Sequence, residues 1–391
     1  MLRLFLLSFT VSLVVCYLTL RFEHLHRRFT GDVAAAGSHK VHRRAVTRIG
    51  GLSIFLGWLV GLAVAGYSGG SSAPPAAVWL LCLLPALIGG LAEDLTKRVS
   101  PAMRLAACFV SAALAYVFLD AGISRIDVAG ADMVLAVPVV SFVFTCFAVG
   151  GVAHAINIID GLNGLASGVC LIALLAIGYV AFQVNDPEIL LLAGLGAGAV
   201  LGFRFWNYPS GRIFCGDGGA YFIGAFVAIL SALLVHRHAA VSAWFPLLLV
   251  LYPVWETLFS AYRRRVLRGR PASMADKLHM HTLFYKRVKH PQEDGKARSR
   301  RNSDASVSML LFACGSAMPA VLWWEQSTYL ITAALAYVLV YLMIYRRLVR
   351  FGARPKTHMA RLATGYVARR MAALHRSATA RRTVREANKV R

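Results

Sequence analysis

Long apolar runs, interrupted by short polar segments, dominate the chain. From Ile49 to Ala92 there is no Asp, Glu, Lys or Arg, whereas one membrane span needs only about 20 apolar residues. Glycines, serines and prolines in residues 69–75 break this run, so it predicts a hairpin of two membrane helices. The same pattern predicts about eleven spans, near residues 2–20, 49–67, 76–93, 102–119, 135–156, 164–183, 189–206, 218–235, 242–262, 307–324 and 328–345.

Composition and charge support a membrane protein whose termini lie on opposite sides. The chain is 58% hydrophobic and 15% charged, and its net charge is +24. Nearly all Lys and Arg fall in alternate loops, and positive charge marks the cytoplasmic side. These basic segments are residues 21–48, 94–101, 157–163, 207–217, 263–306 and 346–391. The pattern predicts an all-α polytopic fold with a periplasmic N-terminus and a cytoplasmic C-terminus, and the basicity then needs no nucleic-acid partner.

Two regions of the chain differ in character. Residues 1–348 form the predicted transmembrane domain, and residues 349–391 form a basic cytoplasmic tail rich in Arg and Ala. The tail fits either an amphipathic helix on the anionic leaflet or a solvated segment. On the opposite side of the membrane, residues 120–134 predict a small β-hairpin.

The few acidic residues gather at the predicted cytoplasmic ends of the spans. Only 18 Asp and Glu occur in the chain, and acids at membrane depth are costly and usually functional. With neighbouring amides and histidines they form four clusters, which contain Glu93 and Asp94, then Asn157, Asp160 and Asn163, then Asp217, and finally His279 and His281. Because all four clusters map to one side, we interpret them as parts of one site.

Each cluster also has a structural explanation. Asp160 and Asp217 are suited to cap the helices that follow them, and the two histidines are suited to a solvated basic loop. The pair of Glu93 and Asp94 is different, because acids at a helix C-terminus are unfavourable without a compensating cation. Either a metal ion or the neighbouring Lys97 would supply that cation.

The combination of carboxylates, histidines and basic side chains is typical of a magnesium–diphosphate site. Mg²⁺ binds one or two carboxylates together with water and substrate phosphates, and Mn²⁺ is the expected substitute. Gly161 and Gly164 allow the backbone to approach a phosphate closely at a helix N-terminus. A site that opens to the cytoplasm and borders the lipid predicts phosphoryl transfer between a nucleotide-linked substrate and a membrane lipid.

Five motifs, in order, resemble those of the polyprenyl-phosphate N-acetylhexosamine-1-phosphate transferases. They are HRRAVTRIGGLSI, GLAEDL, NIIDGLNGLASG, NYPSGRIFCGDGGAYFIG and HMHT. The resemblance implies an enzyme that moves a sugar-1-phosphate from a UDP-N-acetylhexosamine to undecaprenyl phosphate and releases UMP. It also implies a multi-pass protein of the bacterial inner membrane, often a homodimer, in which residues 1–348 are the catalytic domain.

The same resemblance assigns roles to the clustered residues. Asp217, with Asp94, would bind the metal, and Glu93 or Asp94 would contact or deprotonate the lipid phosphate. Asn157 and Asp160 would bind the nucleotide or orient the phosphates. The other substrate-binding candidates are Asn163, Asn207, Arg212, His279, His281 and Lys97.

Four departures from the family pattern refine this prediction, and the first is His154, which stands where the signature usually begins with Asn. Glu93 replaces the first Asp of the usual pair, which puts a nucleophile role at that position in doubt. Asn163 replaces the second Asp of the signature, and an amide cannot act as a base, so Asn163 is expected to bind rather than catalyse. Thr282 replaces a third His that is common in the branch initiating O-antigen synthesis. The motif is still closer to that branch than to the triple-His motif of the peptidoglycan translocase, which favours a surface-polysaccharide initiator.

The alternatives are the phospho-MurNAc-pentapeptide transferase of peptidoglycan synthesis, an ion-coupled transporter and a structural membrane scaffold. A transporter is expected to carry acids at mid-membrane depth and paired interrupted spans in two halves. Here the acids map to helix ends, and the sequence shows no such internal symmetry. A scaffold leaves the clustered acids unexplained.

Overall fold

The computed structural model describes residues 1–32, 46–68, 75–267, 269, 278–287 and 295–353, and these are almost entirely helical. The helices are α1 (Leu2–Arg21), α2 (Glu23–Thr30), α3 (Gly50–Tyr67), α4 (Ala76–Thr96), α5 (Pro101–Leu119), α6 (Ala129–Leu135), α7 (Pro138–Ile159), α8 (Leu165–Gln183), α9 (Pro187–Asn207), α10 (Gly216–Arg237), α11 (Trp244–Leu249), α12 (Leu251–Tyr262), α13 (Met280–Arg287), α14 (Gly295–Leu322) and α15 (Ser327–Ala353). A π-helical turn (Arg263–Leu267) follows α12, and strands β1 (Gly31–Asp32) and β2 (Val46–Thr47) pair antiparallel. The all-α prediction is confirmed.

Ten of the described helices are long and apolar enough to cross a membrane, namely α1, α3, α4, α5, α7, α8, α9, α10, α14 and α15. Each overlaps a predicted span, which confirms a polytopic membrane protein. The predicted span 242–262 is instead divided between α11 and α12, which meet at Val250. Pro253 favours this break because it has no N–H to donate to the carbonyl of Leu249. The orientation of the termini stays a prediction.

The internal contacts divide the chain into two units, Met1–Val338 and Leu339–Arg391. The first unit contains all the residues of the candidate site. The described part of the second unit is the C-terminal portion of α15. The predicted tail beyond residue 353 lies outside the described residues, and the predicted boundary at residue 348 stays a prediction.

Helix α10 is the central element of the first unit. Of its span, 94% is buried inside the protein, and it packs against α3, α4 and α7. The first turn of α10 contains Gly218 and Gly219, which let its neighbours approach the backbone closely. A β-carbon at Gly51 of α3 would lie 2.1 Å from the α-carbon of Gly219. This close packing fixes the position of Asp217 in the same turn.

The predicted β-hairpin at residues 120–134 is wrong. An extended segment leads into α6, and other elements satisfy its polar groups. Side chains of α7 pair with its backbone, because the Ile123 N–H donates to Thr145 Oγ1 at 2.9 Å and the Ile123 carbonyl accepts from the Ser141 hydroxyl at 2.9 Å. The Asp132 carboxylate accepts the Ile126 N–H at 2.6 Å. A second strand is therefore not needed to pair this backbone.

The segment before α3 and the segment before α10 lie side by side. Phe214 N–H donates to the Thr47 carbonyl at 2.9 Å, and Gly50 N–H donates to the Phe214 carbonyl at 3.0 Å. This pairing holds Arg48, which lies between Thr47 and Gly50, against the start of α10. The two segments belong to loops that the charge pattern places on the same side of the membrane.

Candidate active site

The N-terminus of α10 is held by a buried carboxylate from α4. Asp94 is 1% exposed, and its two oxygens accept the backbone N–H groups of Asp217 at 3.0 Å and Gly218 at 2.8 Å. A negative charge here is favourable because the first N–H groups of a helix have no intrahelical partner. Gly216 makes this approach possible, since it has φ +73° and a β-carbon there would lie 1.8 Å from the Arg48 carbonyl oxygen.

Asp217 lies at the centre of the polar cluster and is 6% exposed. Its Oδ1 accepts from Asn157 Nδ2 at 3.0 Å and from Arg48 Nη2 at 3.3 Å. Its Oδ2 accepts from Arg104 Nη1. Arg48 Nε also lies 3.7 Å from Asp94 Oδ1. Two guanidinium groups thus converge on two buried carboxylates. This arrangement is suited to an anion that bridges the two guanidinium groups.

Arg104 has hydrogen-bonding capacity left over. Its Nε is buried and has no partner among the described residues, and its guanidinium lies 5.9 Å from the centre of the Tyr221 ring. Buried donors without a partner are rare because each costs about 1–3 kcal/mol. This donor is therefore a candidate contact for a bound ligand.

Asn157 is oriented by a tyrosine on α10. The hydroxyl of Tyr221 lies 3.4 Å from Asn157 Oδ1 as a donor and 3.3 Å from His154 Nδ1. With its oxygen directed towards Tyr221, the amide presents Nδ2 to Asp217. The predicted association of Asn157 and Asp217 in space is therefore present in the structure.

The side chain of Asp160 differs from the other carboxylates of the cluster because it has no hydrogen bond or ion pair with any described residue. Asp160 follows the last residue of α7 and is half-buried. Burial, as the largest cause, and the negative charge of Asp94 together raise the pKa of Asp160 to about 7, against the opposing effect of the positive charge of Arg48. The ionised form of Asp160 is thus disfavoured unless a cation binds. Asp160 is therefore a candidate to bind a cation, or a substrate that is bound together with a cation.

The Glu93–Lys97 turn closes the end of α4. Glu93 Oε2 accepts the Val99 N–H at 2.8 Å, and Lys97 Nζ donates to the Asp94 carbonyl at 2.6 Å. Lys97 adopts the left-handed conformation, with φ 58°. Glu93 and Lys97 therefore stabilise the turn that carries Asp94. The side chain of Glu93, which is longer than that of the usual Asp, reaches the backbone N–H of Val99.

Asn163 and Asn207 form interior hydrogen bonds that join three segments. Asn163 Nδ2 donates to the Pro209 carbonyl at 3.0 Å, and its backbone N–H donates to Asn302 Oδ1 at 2.7 Å. Asn207 Oδ1 accepts the Gly164 N–H at 2.6 Å, and its Nδ2 donates to the Ile213 carbonyl at 2.8 Å. Both amides are 3% exposed. They fix the turn after α7 against the segment before α10.

Asn163→Asp restores the residue that the family pattern carries, yet it is expected to destabilise this protein. The carboxylate would lose the N–H that binds Pro209 and would bury a negative charge beside a carbonyl oxygen. At about 1–3 kcal/mol for such a group, the unfolding midpoint of a chain of this length should fall by about 1–4 °C. The measurement is thermal unfolding in detergent. Asn185→Asp, at an exposed position, is the matched control, and an equal or higher midpoint for Asn163→Asp would contradict this explanation.

Arg212 is exposed and lies apart from the cluster among the contacts of the described residues. Its guanidinium packs 5.7 Å from the centre of the Trp206 ring. No described contact joins it to Asp94, Asp160 or Asp217. Its predicted role as an anion-binding residue is not supported by these contacts and stays a prediction.

The two histidines form a stacked pair. The ring centres of His279 and His281 are 5.4 Å apart and the rings are nearly parallel, at 4°. His279 Nδ1 lies 2.9 Å from Glu256 Oε1, and His281 Nδ1 lies 3.4 Å from the Tyr252 hydroxyl. His281 Nε2 would be 3.1 Å from a β-carbon at Gly161. The histidine motif therefore packs on the turn that contains Asp160.

The sequence prediction missed three charged residues of this region. Arg48 belongs to the first motif but was not singled out. Arg104 is the only Lys or Arg in residues 102–119, and Glu256 is the only Asp or Glu in residues 242–262. An isolated charge inside an otherwise apolar span is costly and usually functional, so this signal was available in the sequence.

The described residues contain no group of three or more His, Cys, Asp or Glu side chains arranged to hold a metal. Mg²⁺ does not require such a cage, because it keeps waters and is commonly held by one or two carboxylates with substrate phosphates. Asp217 and the unpartnered Asp160 offer oxygen donors of that kind. The donor set therefore fits Mg²⁺ bound together with a diphosphate.

Comparison with known proteins supports one family. The family model described as glycosyl transferase family 4 matches residues 76–235, a range that contains Asp94, Asn157, Asp160 and Asp217. A probable undecaprenyl-phosphate N-acetylglucosaminyl 1-phosphate transferase of Bacillus subtilis (strain 168) is 30% identical over 259 residues, which cover 64% of this chain and 69% of the relative.

Two further relatives carry related names. The undecaprenyl-phosphate alpha-N-acetylglucosaminyl 1-phosphate transferase of Thermotoga maritima is 28% identical over 64% of this chain and 72% of the relative. The phospho-N-acetylmuramoyl-pentapeptide-transferase of Streptococcus uberis is 32% identical over 42% of this chain and 48% of the relative. The chain belongs to glycosyl transferase family 4, the sugar-1-phosphate transferases that its motifs resemble.

Proposed function

We propose that this protein transfers N-acetylhexosamine-1-phosphate from a UDP-sugar to undecaprenyl phosphate. An oxygen of the lipid phosphate attacks the β-phosphorus of the UDP-sugar, and the bond between that phosphorus and the bridging oxygen breaks. UMP leaves with the bridging oxygen, and a lipid-linked diphosphosugar forms. The observation that carries the proposal is the convergence of Arg48, Arg104 and Asn157 on Asp217 at the ends of membrane helices.

The described residues are suited to the electrostatic work of this reaction. Phosphoryl transfer depends mainly on positioning and on neutralising charge. Arg48 and Arg104 would stabilise the negative charge of the diphosphate, and Asp94 would hold the first turn of α10 so that Asp217 faces the substrate. Mg²⁺, when bound, would supply further charge neutralisation, with Asp217 and Asp94 as candidate ligands and Asp160 as a further one.

The other predicted residues support the same site. We propose that Asn157 orients Asp217 and that Glu93 and Lys97 stabilise the turn that carries Asp94. Asn163 and Asn207 would hold the turn after α7 in place beside the site rather than touch the substrate. His279 and His281 would contact the diphosphate or sugar, because His281 packs on the turn that contains Asp160 and His279 stacks on His281.

The cellular setting follows from the substrates. We propose a bacterial inner-membrane enzyme with its site on the cytoplasmic side, where UDP-sugars are available, and a homodimeric assembly. The lipid-linked diphosphosugar would start the synthesis of O-antigen or another surface polysaccharide. The relatives named as N-acetylglucosaminyl transferases match 64% of this chain, whereas the pentapeptide transferase matches 42%, which favours a UDP-N-acetylhexosamine over the peptidoglycan precursor.

The test is UMP release by the purified protein with a panel of UDP-sugars. We expect release only when a UDP-N-acetylhexosamine, undecaprenyl phosphate and Mg²⁺ are all present. Chelation of the metal should stop the reaction, and Mn²⁺ should restore part of it. UMP release with UDP-MurNAc-pentapeptide as the sole active donor of the panel would instead assign the peptidoglycan reaction. No UMP release with any donor would contradict the proposal.

A further inference from the structure

Two buried polar residues of α12 face the histidine pair. Glu256 is 0% exposed and Tyr252 is 1% exposed. They lie four residues apart, so both side chains are on one face of the helix. A fully buried acid in an apolar helix is costly and is retained where it has a specific partner. The partners in this case are two residues of the histidine motif.

Glu256 holds two consecutive residues of that motif. Its Oε1 lies 2.9 Å from His279 Nδ1, and its Oε2 accepts the Met280 N–H at 3.1 Å. The adjoining Arg263, in the π-helical turn, donates from Nη1 to the Leu278 carbonyl at 3.1 Å. Leu278 and the first two residues of the motif are therefore fixed to α12 and the turn that follows it.

The Glu256 contact determines which nitrogen of His279 is available to a ligand. An ionised carboxylate only accepts hydrogen bonds, so Nδ1 of His279 must carry the hydrogen of this contact. Nε2 is then the nitrogen left for the substrate. Tyr252 orients the ring of His281, because His281 Nδ1 lies 3.4 Å from the Tyr252 hydroxyl and Nε2 faces Gly161, but a hydroxyl that can donate or accept does not select a tautomer.

The geometry of α12 explains how histidines two residues apart can act together. Side chains at this spacing share a face only in an extended segment, and His279 lies just before α13 begins at Met280. The spacing of Tyr252 and Glu256 along α12 matches the separation of the two stacked rings, which is 5.4 Å. One helical turn of α12 thus sets the orientation of both rings.

We propose that Glu256 is a positioning residue that fixes the ring orientation and tautomer of His279, so that Nε2 contacts the diphosphate or sugar of the UDP-sugar. Tyr252 fixes only the ring orientation of His281. The proposal rests on the proposed transferase function, because it assumes that the histidines meet that substrate. It predicts that Glu256 acts through His279 and not directly.

Glu256→Gln tests this proposal by steady-state UMP release. The glutamine has the same shape, but if its oxygen keeps the Met280 N–H, its amide nitrogen faces His279 Nδ1 and favours the other tautomer. We expect kcat/KM for the UDP-sugar to fall by about 10–100-fold, as is typical when a group that orients a functional histidine is lost. KM for undecaprenyl phosphate should change less than about twofold, since the lipid does not meet His279 in this account. Glu325→Gln, at an exposed position between α14 and α15, is the matched control and should match the wild type.

A double-mutant cycle separates positioning from a general structural role. In a His279→Ala background, Glu256→Gln should cause less than about twofold further loss, because its effect passes through the missing ring. Full, additive loss in that background, or wild-type kinetics for Glu256→Gln, would overturn the proposal while leaving the transferase function intact. If the wild type itself releases no UMP with any UDP-sugar, the transferase function fails and this proposal fails with it.

Discussion

Replacing Asp217 by asparagine is expected to lower kcat by about 10²–10³-fold, the loss typical of removing one electrostatic group from an active site. The substitution keeps the size of the side chain, so Asn157 and the backbone of α10 can stay in place. It removes the negative charge on which Arg48 and Arg104 converge and leaves a neutral amide opposite two cations. UMP release at saturating UDP-sugar and undecaprenyl phosphate measures this effect.

The matched control is Asp120→Asn. Asp120 follows the last residue of α5, at the opposite end of that helix from Arg104, and its side chain is 86% exposed. It undergoes the same chemical change without a role in the cluster, so its kcat should equal that of the wild type. An Asp217→Asn protein that is folded and fully active would remove Asp217 from the site.

Replacing Arg104 by alanine is expected to lower kcat by at least about a hundredfold, because an arginine that stabilises charge on a transferring phosphoryl group has effects of this size or larger. Arg104 binds Asp217, and its buried Nε has no partner among the described residues. Alanine removes both the ion pair and the unused donor. Arg104→Lys should recover only part of the activity, since a single ammonium cannot reproduce a planar fork of donors.

The control for Arg104 is Arg3→Ala, an exposed arginine near the first residue of α1. It should leave both kcat and the unfolding midpoint unchanged. If Arg104→Ala lost activity only in proportion to a loss of folded protein, measured by size-exclusion chromatography in the same preparation, the electrostatic role would be contradicted. The two arginine variants are therefore compared at equal amounts of folded protein.

The sequence was sufficient to predict the membrane helices, because an apolar run of sufficient length has few other stable environments. It was insufficient where tertiary contacts decide the local structure. The 120–134 segment lacks a second strand because side chains of α7 pair with the Ile123 backbone and the Asp132 carboxylate accepts the Ile126 N–H. The division of 242–262 at Val250 depends on Pro253, a single residue within an otherwise continuous apolar run.

The candidate site was predictable to the level of its motifs, not its contacts. Asp94, Asn157 and Asp217 do meet, as their shared side of the membrane indicated. The sequence could not distinguish residues that face the site from those that build its walls, and Asn163 and Asn207 prove to be buried in hydrogen bonds with neighbouring segments. That distinction depends on which direction each amide points, which is set only when the segments pack.

The most direct test of the central claim follows a radiolabel on the β-phosphate of a UDP-N-acetylhexosamine. If the protein transfers the sugar-1-phosphate, the label should appear in the organic-solvent extract as a diphospholipid, with one UMP released for each labelled lipid. It should appear only when undecaprenyl phosphate and Mg²⁺ are present, and Asp217→Asn should prevent it. Label that stays in the aqueous phase, as sugar-1-phosphate or inorganic phosphate, would contradict transfer to the lipid.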